Sequence, residues 1–194
     1  MRLVTIFALQ AESFEINLPD TEVEMVFAGV GKTLAATATA NAIHRFQPDL
    51  VINIGTVGTY RHQVGDILVA SHFVDRDMKR TPLEGLVSEI CTDDLNKGMR
   101  LPSVVEGKTD YSDYTINTGD NFVLCAEDDL GCDAVDMESF AMAWACKQAG
   151  VPFLSVKYVT DILGQNSVKA WSEKLATARQ ELKDYFDKHG ASLF

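Results

Sequence analysis

Residues 50–54 read LVINI, a short apolar run that follows the helix-breaking pair Pro48-Asp49. Such a run is typical of a strand buried on both faces of a parallel sheet. Before the break, residues 32–46 place apolar side chains at helical spacing towards one side, which predicts an amphipathic helix. A helix followed directly by a buried strand indicates the α/β class.

The same alternation continues in both directions from this run. Further strands are predicted at residues 2–9, 22–28, 67–74, 86–90, 103–106, 114–118 and 153–160. Further helices are predicted from about Glu138 to Ala149, where Gly150 and Pro152 give a stop signal, and over roughly residues 168–188. The polar stretch 75–82 is predicted to be a loop.

The turn before the first helix contains Gly31-Lys32-Thr33, which resembles the end of a nucleotide-binding P-loop. The complete pattern also needs a glycine five residues before Gly31, where this chain has Val26. The next strand ends in Gly55-Thr56 and lacks the aspartate that holds magnesium in such enzymes. We therefore expect a plain glycine turn, whose helix start could still hold a polar ligand group.

Polar residues follow several of the predicted strands. In α/β sheets, ligands bind in the crevice outside the carboxyl ends of the strands. Glu12 follows the first strand, Asp161 follows the strand at 153–160, and Glu138 begins a helix. These three carboxylates, which are far apart in the sequence, are expected to converge on one crevice.

Composition excludes several classes of protein. A length of 194 residues predicts one domain over residues 1–194. The net charge of −11 argues against nucleic acid and anionic membranes as partners, and no apolar stretch reaches the ~18 residues that a membrane span needs. The four cysteines show neither a C-x-x-C pair nor zinc-ligand spacing, so we expect a cytoplasmic protein without a metal or cofactor.

Four short motifs together resemble the nucleoside phosphorylase and nucleosidase superfamily. They are VINIGTVGT (51–59), TGDNFV (118–123), DMES (136–139) and VPFLSVKYVTD (151–161). The greatest similarity is to methylthioadenosine/S-adenosylhomocysteine nucleosidases, and it runs from Leu3 to the last helix. The resemblance implies a single α/β domain with a twisted, mixed central sheet flanked by helices. It also implies an enzyme that hydrolyses the N-glycosidic bond of an adenine-type nucleoside.

The resemblance also implies roles for individual residues. Glu12 would bind the attacking water as general base, and Asp161 would protonate the purine N7 or donate to it. Glu138 would hold the ribose 2′- and 3′-hydroxyls. The other implied substrate contacts are stacking of Phe122 on the base, a backbone bond from Val123 to its edge, packing of Met137 under the sugar, and a contact of Thr56 with the sugar or water.

The chemistry suits these residue types independently of the family. Breaking an N-glycosidic bond develops oxocarbenium character on the sugar. The reaction needs an acid on the leaving group and a base on the water. Asp161 would then have to be protonated near neutrality, which requires a pKa raised by burial or by a neighbouring carboxylate.

Each of these residues also has a purely structural interpretation. Asp161 could cap a turn at Ile162, and Glu138 could be a favourable acid in a first helical turn. Glu12 could be a surface acid, and Met137 and Phe122 could be core residues. The functional interpretation rests on their occurring together in the order of the family.

Two departures from the family leave the substrate open. The segment between Ile16 and Glu22 and the loop after Asp77 are shorter than in the nucleosidases, and the first of these helps to line the pocket for the 5′ group there. Methylthioadenosine, adenosylhomocysteine, futalosine and a simple nucleoside therefore all remain candidates.

Two other functions fit the same fold. A phosphorylase would use phosphate, for which Arg61, Arg76 or Arg80 would have to supply the guanidinium that is absent before Gly55. A nucleoside-binding protein without catalysis is the second alternative. The resemblance further implies a homo-oligomer, a dimer or a multiple of it, with Ile54–Tyr60 and residues 75–83 as the candidate contact segments.

Overall fold

A computed structural model describes residues 1–123, 126–164 and 167–193 of the chain. Within them the ten strands are β1 (Arg2–Phe7), β2 (Glu22–Phe27), β3 (Leu50–Thr59), β4 (Ile67–Asp75), β5 (Glu89–Cys91), β6 (Ser103–Val105), β7 (Lys108–Asp110), β8 (Tyr114–Thr118), β9 (Ala134–Asp136) and β10 (Phe153–Ile162). The helices are α1 (Lys32–Phe46), α2 (Arg76–Lys79), α3 (Asp93–Asn96), α4 (Ser139–Ala149) and α5 (Ser167–His189). Short 3₁₀ turns lie at Gln10–Glu12, Ala126–Asp129 and Gly190–Leu193.

The strands form one mixed sheet, as the resemblance implies. β1 pairs in parallel with β2 and β3, and β3 pairs in parallel with β10. β10 then pairs antiparallel with β4, which pairs in parallel with β8, and β8 with β9. Because β9 returns to β3 through a single bridge at Gly58 and Val135, five strands of the sheet close into a ring.

Alternate side chains of the central strands enter two separate cores. One face of β1, β3 and β10 packs against α1 and α4, where Ala35 and Met142 are fully buried. The other face packs against α5 through Ala178 and Leu182. The sheet is therefore covered by helices on both sides, which explains why Leu50–Ile54 is apolar at almost every position. None of the described helices could cross a membrane.

Several predicted boundaries are wrong for identifiable reasons. The sequence interpretation ended this strand at Ile54 because it took Gly55 for a turn, whereas β3 continues five residues further, to Thr59. Neighbouring side chains occupy the space beside its two glycines: a Cβ at Gly58 would lie 2.6 Å from Leu163 Cδ2. These glycines permit close approach within a strand rather than a turn.

The predicted loop at 75–82 contains the single helical turn α2. Asp75 caps this turn, since its side chain accepts hydrogen bonds from the backbone N–H groups of Asp77 and Met78. The strand predicted at 86–90 lies instead at Glu89–Cys91, and the three-residue strands β7 and β9 were not predicted. The candidate contact segment Ile54–Tyr60 lies mostly buried within β3, so it cannot supply an exposed apolar surface.

Candidate active site

A crevice of about 250 Å³ opens at the carboxyl ends of β1, β3 and β10. All seven site residues predicted from the sequence line it: Glu12, Thr56, Phe122, Val123, Met137, Glu138 and Asp161. The three carboxylates that are distant in the sequence therefore meet, as expected for parallel strands that end at one edge of a sheet.

Glu12 lies buried at the inner wall of the crevice, in the 3₁₀ turn after β1, and is thus not a surface acid. Its Oε1 accepts a hydrogen bond from Thr56 Oγ1 at 3.1 Å, and its Oε2 accepts one from the backbone N–H of Leu9 at 3.3 Å. The Thr56 hydroxyl in turn accepts a hydrogen bond of 3.0 Å from Trp171 Nε1. These contacts fix the orientation of the Glu12 carboxylate.

The glycine turn before α1 holds a carboxylate of the same chain. The backbone N–H of Gly31 donates to Glu138 Oε1 at 3.0 Å, and that of Lys32 donates to Asp120 Oδ1 at 2.7 Å. Gly31 has a φ of 98°, a conformation that glycine adopts freely. The polar group expected at this helix start is therefore supplied by Glu138 and Asp120, and Glu138 itself precedes α4 as its N-cap residue.

A buried ion pair lies beneath the carboxylates. Lys157 extends from the middle of β10 and is only 2% exposed. Its Nζ lies 3.0 Å from Asp136 Oδ2, and both residues line the crevice. Asp136 Oδ1 also accepts a hydrogen bond of 2.6 Å from Thr118 Oγ1, while Oδ2 accepts one from Ser139 Oγ. Such additional bonds are what make a buried ion pair tolerable.

Burial and neighbouring charges divide these acids into two groups. Burial raises the pKa of Glu12 above its ordinary value, against the lowering effects of Lys157 and Thr56. Burial, and after it the charge of Asp136, raises the pKa of Glu138 to about 7. Burial also opposes ionisation of Asp136, but Lys157 and the hydrogen bonds from Ser139 and Thr118 outweigh it and lower its pKa. The crevice thus combines one acid that is held ionised, Asp136, with two acids whose pKa values are raised, Glu12 and Glu138.

Asp161 also lines the crevice, at an irregularity where the register between β10 and β3 shifts. The chain remains a strand through Ile162, so the alternative in which Asp161 caps a helical turn is wrong. Its Oδ1 accepts a hydrogen bond of 2.8 Å from Thr160 Oγ1. Bulges of this kind often re-aim a side chain beside an active site.

The apolar lining of the crevice has a buried part around Val123 and a partly exposed part around Phe122, which we call the mouth. Val123 is buried with Val135 and Leu163. Phe122 is 47% exposed, which contradicts the alternative that it is a core residue, and Met137 is partly buried. The next residues, Leu124 and Cys125, lie outside the described residues.

The three arginines considered for phosphate binding are engaged elsewhere. Arg61 pairs with Asp129 at 3.2 Å and Arg80 pairs with Asp128. Arg76 is buried and donates to the side chains of Asn117 and Asn121. Among the residues that the structure describes, no arginine lines the crevice, and the cationic side chain that lines it is Lys157.

Sequence reasoning did not assign Asp136, Lys157 or Trp171 to the site. Lys157 had a usable signal, because a lone lysine inside an apolar strand is almost never buried without a partner. Asp136 stands beside the predicted Glu138, but its pairing with Lys157 depends on strand order. Trp171 gave no local signal, since its helix is amphipathic like any surface helix.

Comparisons with known proteins agree with this geometry. The model of the family described as the phosphorylase superfamily matches residues 12–188. The chain is 33% identical over 184 residues to a 5'-methylthioadenosine/S-adenosylhomocysteine nucleosidase from Colwellia psychrerythraea, covering 84% of this chain and 76% of that protein. A protein of the same name from Bacillus subtilis is 30% identical over 182 residues, covering 81% and 76%.

Solved structures show the same similarity. The Colwellia psychrerythraea nucleosidase in complex with adenine superposes with a TM-score of 0.76 at 29% identity, over 100% of this chain and 98% of that one. Futalosine hydrolase from Helicobacter pylori gives a TM-score of 0.77 over 96% of this chain and 95% of that one. Its identity is 19%, so it is similar in fold alone.

Proposed function

The chain belongs to the phosphorylase superfamily, and we propose that within it the protein is a nucleosidase. It is an N-ribosyl hydrolase that cleaves the N-glycosidic bond of an adenine-type nucleoside, giving free base and sugar. The observation that carries this function is the crevice in which Glu12, Glu138 and Asp161 meet, and which no arginine among the described residues lines. A phosphate dianion would lack its bidentate partner there, whereas water needs only a base.

Glu12 acts on the water in this mechanism. Its carboxylate is held by Thr56 and Leu9, which fixes the direction of its remaining lone pairs. Burial raises its pKa, which makes it a stronger base than an exposed glutamate. It takes a proton from water while the oxygen attacks the anomeric carbon, whose positive charge grows as the bond to the base breaks.

Asp161 acts on the leaving group from the other side. It protonates the purine N7 or donates a hydrogen bond to it, so that the base leaves neutral. Phe122, half exposed at the mouth, stacks on the base, and the backbone of Val123 bonds its edge. The register shift in β10 at Asp161 supports this role, because such bulges often re-aim a side chain beside an active site.

Glu138 and Met137 bind the sugar. A carboxylate accepts two hydroxyl donors at once, which suits the vicinal 2′- and 3′-hydroxyls of ribose. One oxygen of Glu138 already accepts the N–H of Gly31, which keeps the group from turning out of the crevice. Lys157 forms an ion pair with Asp136. Its positive charge also favours the ionised forms of Glu138 and Glu12, since it lowers the pKa of both.

The 5′ group of the substrate is set by the mouth of the crevice. Curated relatives are named for methylthioadenosine and adenosylhomocysteine, which favours a thioether at this position. Val30, which lines the crevice, and nearby Leu34 are both about half exposed and offer an apolar surface for the thioether.

We propose that a second copy of the chain closes this end of the crevice, in a homodimer or a multiple of it. The connection between Ile16 and Glu22 is short and covers little of this end. The cysteine pattern supports a cytoplasmic protein.

The function is tested by incubating the protein with methylthioadenosine, adenosylhomocysteine and adenosine, with and without phosphate. We expect free adenine at the same rate in both conditions. Release that requires phosphate would identify a phosphorylase, and saturable binding without release would identify a nucleoside-binding protein. Either result would overturn the nucleosidase assignment.

A further inference from the structure

A cluster of three metal-ligating side chains lies outside the crevice. His72 of β4 and Cys91 of β5 are directly paired across antiparallel strands, so their side chains project from the same face of the sheet. Asp93 follows Cys91 by two residues. The ligand atoms of these three residues all lie within 4.8 Å of one another. Within the described ranges, this is the group that brings a nitrogen, a sulfur and an oxygen ligand together.

The cluster is far from the chemistry of the crevice. Thr92, between Cys91 and Asp93, is buried and donates to the backbone carbonyl of Phe153 at 2.9 Å. Phe153 begins β10, whereas Asp161 lies near its end. The cluster therefore lies at the opposite end of β10 from the acid proposed for catalysis.

The spacing of the cluster is close to that of a tetrahedral site. With zinc bonds of about 2.0–2.3 Å, two ligand atoms of one ion lie roughly 3.3–3.6 Å apart. His72 Nε2 and Asp93 Oδ2 are 3.3 Å apart. The sulfur of Cys91 lies within 4.8 Å of both atoms. Thr92, between Cys91 and Asp93, is anchored by its hydrogen bonds to the carbonyls of Ser71 and Phe153.

The surroundings balance the charge of a divalent ion. The thiolate of Cys91 and the carboxylate of Asp93 would neutralise a dication, with neutral His72 as third ligand. A neighbouring cation, Lys147, donates to the backbone carbonyl of Cys91 at 2.6 Å and lies 3.4 Å from Asp94, which offsets its charge. His72 and Asp93 are both partly exposed, so an ion can enter from solvent.

We propose that His72, Cys91 and Asp93 form a binding site for a divalent transition metal of the zinc class, with water as the fourth ligand. Binding displaces the thiol proton of Cys91 to solvent. The ion would tie β4 to the start of α3. The site was not visible in the sequence because its first ligand lies nineteen residues from its second and only strand pairing joins them.

Cobalt is the probe for this site, since it occupies zinc sites and gives an absorption band with a thiolate ligand. We expect one equivalent of cobalt to produce a thiolate-to-metal band in the metal-free full chain, and zinc to displace it. Cys91→Ser should abolish the band, and His72→Gln and Asp93→Asn should weaken binding by at least the roughly 10–100-fold that loss of an outer partner costs.

Two matched controls keep the test specific. His44→Gln, on the exposed side of α1, should bind cobalt like the parent chain, and Asp94→Asn, which removes only the acid that offsets Lys147, should weaken binding far less than Asp93→Asn. Zinc should raise the melting temperature of the parent but not of Cys91→Ser, and it should leave the turnover of the crevice unchanged. Equal cobalt affinity in the parent and in Cys91→Ser, or zinc-dependent turnover, would overturn the proposal.

Discussion

Asp161 lies at a bulge of β10, with its carboxyl group in the same crevice as Glu12. Asp161→Asn keeps the size of the side chain and one donor but cannot transfer a proton. Since general acid catalysis typically contributes ~10²–10⁴-fold, we expect turnover to fall by that factor. Turnover is measured as adenine release, with circular dichroism to check the fold.

Thr160→Val is the matched control for this variant. It removes the hydroxyl that donates to Asp161 Oδ1 but leaves the acid in place, so it should lower turnover far less. If the asparagine variant retains near-normal turnover, Asp161 has no part in proton transfer.

Glu138 makes the stability of the protein depend on pH. Its pKa is raised to about 7 from a value of 4.5, so the folded chain holds its proton more tightly than the unfolded chain. This contribution is present below pH 4.5 and is lost as pH rises towards 7. Glu138→Gln should therefore raise the free energy of unfolding at pH 8 relative to the parent, by up to a few kcal/mol at ~1.4 kcal/mol per pKa unit.

The glutamine can still accept the hydrogen bond from Gly31, so the substitution isolates the charge. Urea unfolding of both chains at pH 5 and pH 8 gives the measurement. An equal difference between the two chains at both pH values would show that Glu138 ionises normally in the folded protein.

Individual residues were predictable where one local pattern identified them. Glu12, Glu138 and Asp161 were expected to share a crevice because each stands near the end of a predicted strand or the start of a predicted helix, and all three line one crevice. Their catalytic and binding roles remain predictions. The pairing of Lys157 with Asp136 was not predictable, because it joins residues on β10 and β9, which are not direct sheet neighbours. Their electrostatic balance depends on burial that only the folded chain creates.

Gly58 of β3 lies against the side chains of Asp161, in β10, and of Leu163, which follows β10. A Cβ there would lie 2.6 Å from Leu163 Cδ2 and 2.9 Å from Asp161 Oδ2. Gly58→Ala should therefore displace both side chains, at the ~1–3 kcal/mol typical of overpacking, and reduce turnover by moving Asp161. Urea unfolding and adenine release measure the two effects.

Gly55→Ala, in the same strand, is the comparison. Its added methyl group would meet Lys157 Nζ at 3.5 Å and Glu12 Oε1 at 3.7 Å, which are ordinary contacts. It should cost less stability than Gly58→Ala. Equal stability of the two variants would show that the side chains of Leu163 and Asp161 move aside at no cost.

At the scale of elements, long periodic segments were predicted well and short ones were not. The bounds of α1 agree with the prediction to the residue, because its apolar spacing and flanking Gly31 and Pro48 all indicate the same ends. β9 has three residues and pairs with β3 through a single bridge, so no periodicity reveals it. α2 depends on the Asp75 cap, which a polar stretch does not distinguish from a loop.

At the scale of the whole molecule, several apolar side chains are exposed together at the mouth of the crevice. Leu34 is 53% exposed, and Val30 and Phe122 are exposed to a similar degree. Such a surface is typical of a contact with another protein. We expect the chain to sediment as a homodimer or a multiple of it at assay concentration, through an interface larger than ~1,000 Å².

Leu34→Glu, at the mouth of the crevice, and Leu83→Glu, in the candidate contact segment 75–83, should each weaken this assembly, because both introduce a charge at an exposed apolar position. Specific activity should fall with dissociation if the partner closes the site. A parent chain that sediments as a monomer with full specific activity would disprove this arrangement.

Trp171 gives the crevice an optical label of its own. Its indole lines the cavity and donates to Thr56, whereas the other tryptophan of the chain, Trp144, lies on α4 away from it. In a Trp144→Phe background, intrinsic fluorescence would come from one position next to the proposed water site. Titration with adenine should then change the emission in a saturable way, so that occupancy can be followed in real time without a modified substrate. An unchanged emission under saturating adenine would mean that the base does not reach this end of the cavity.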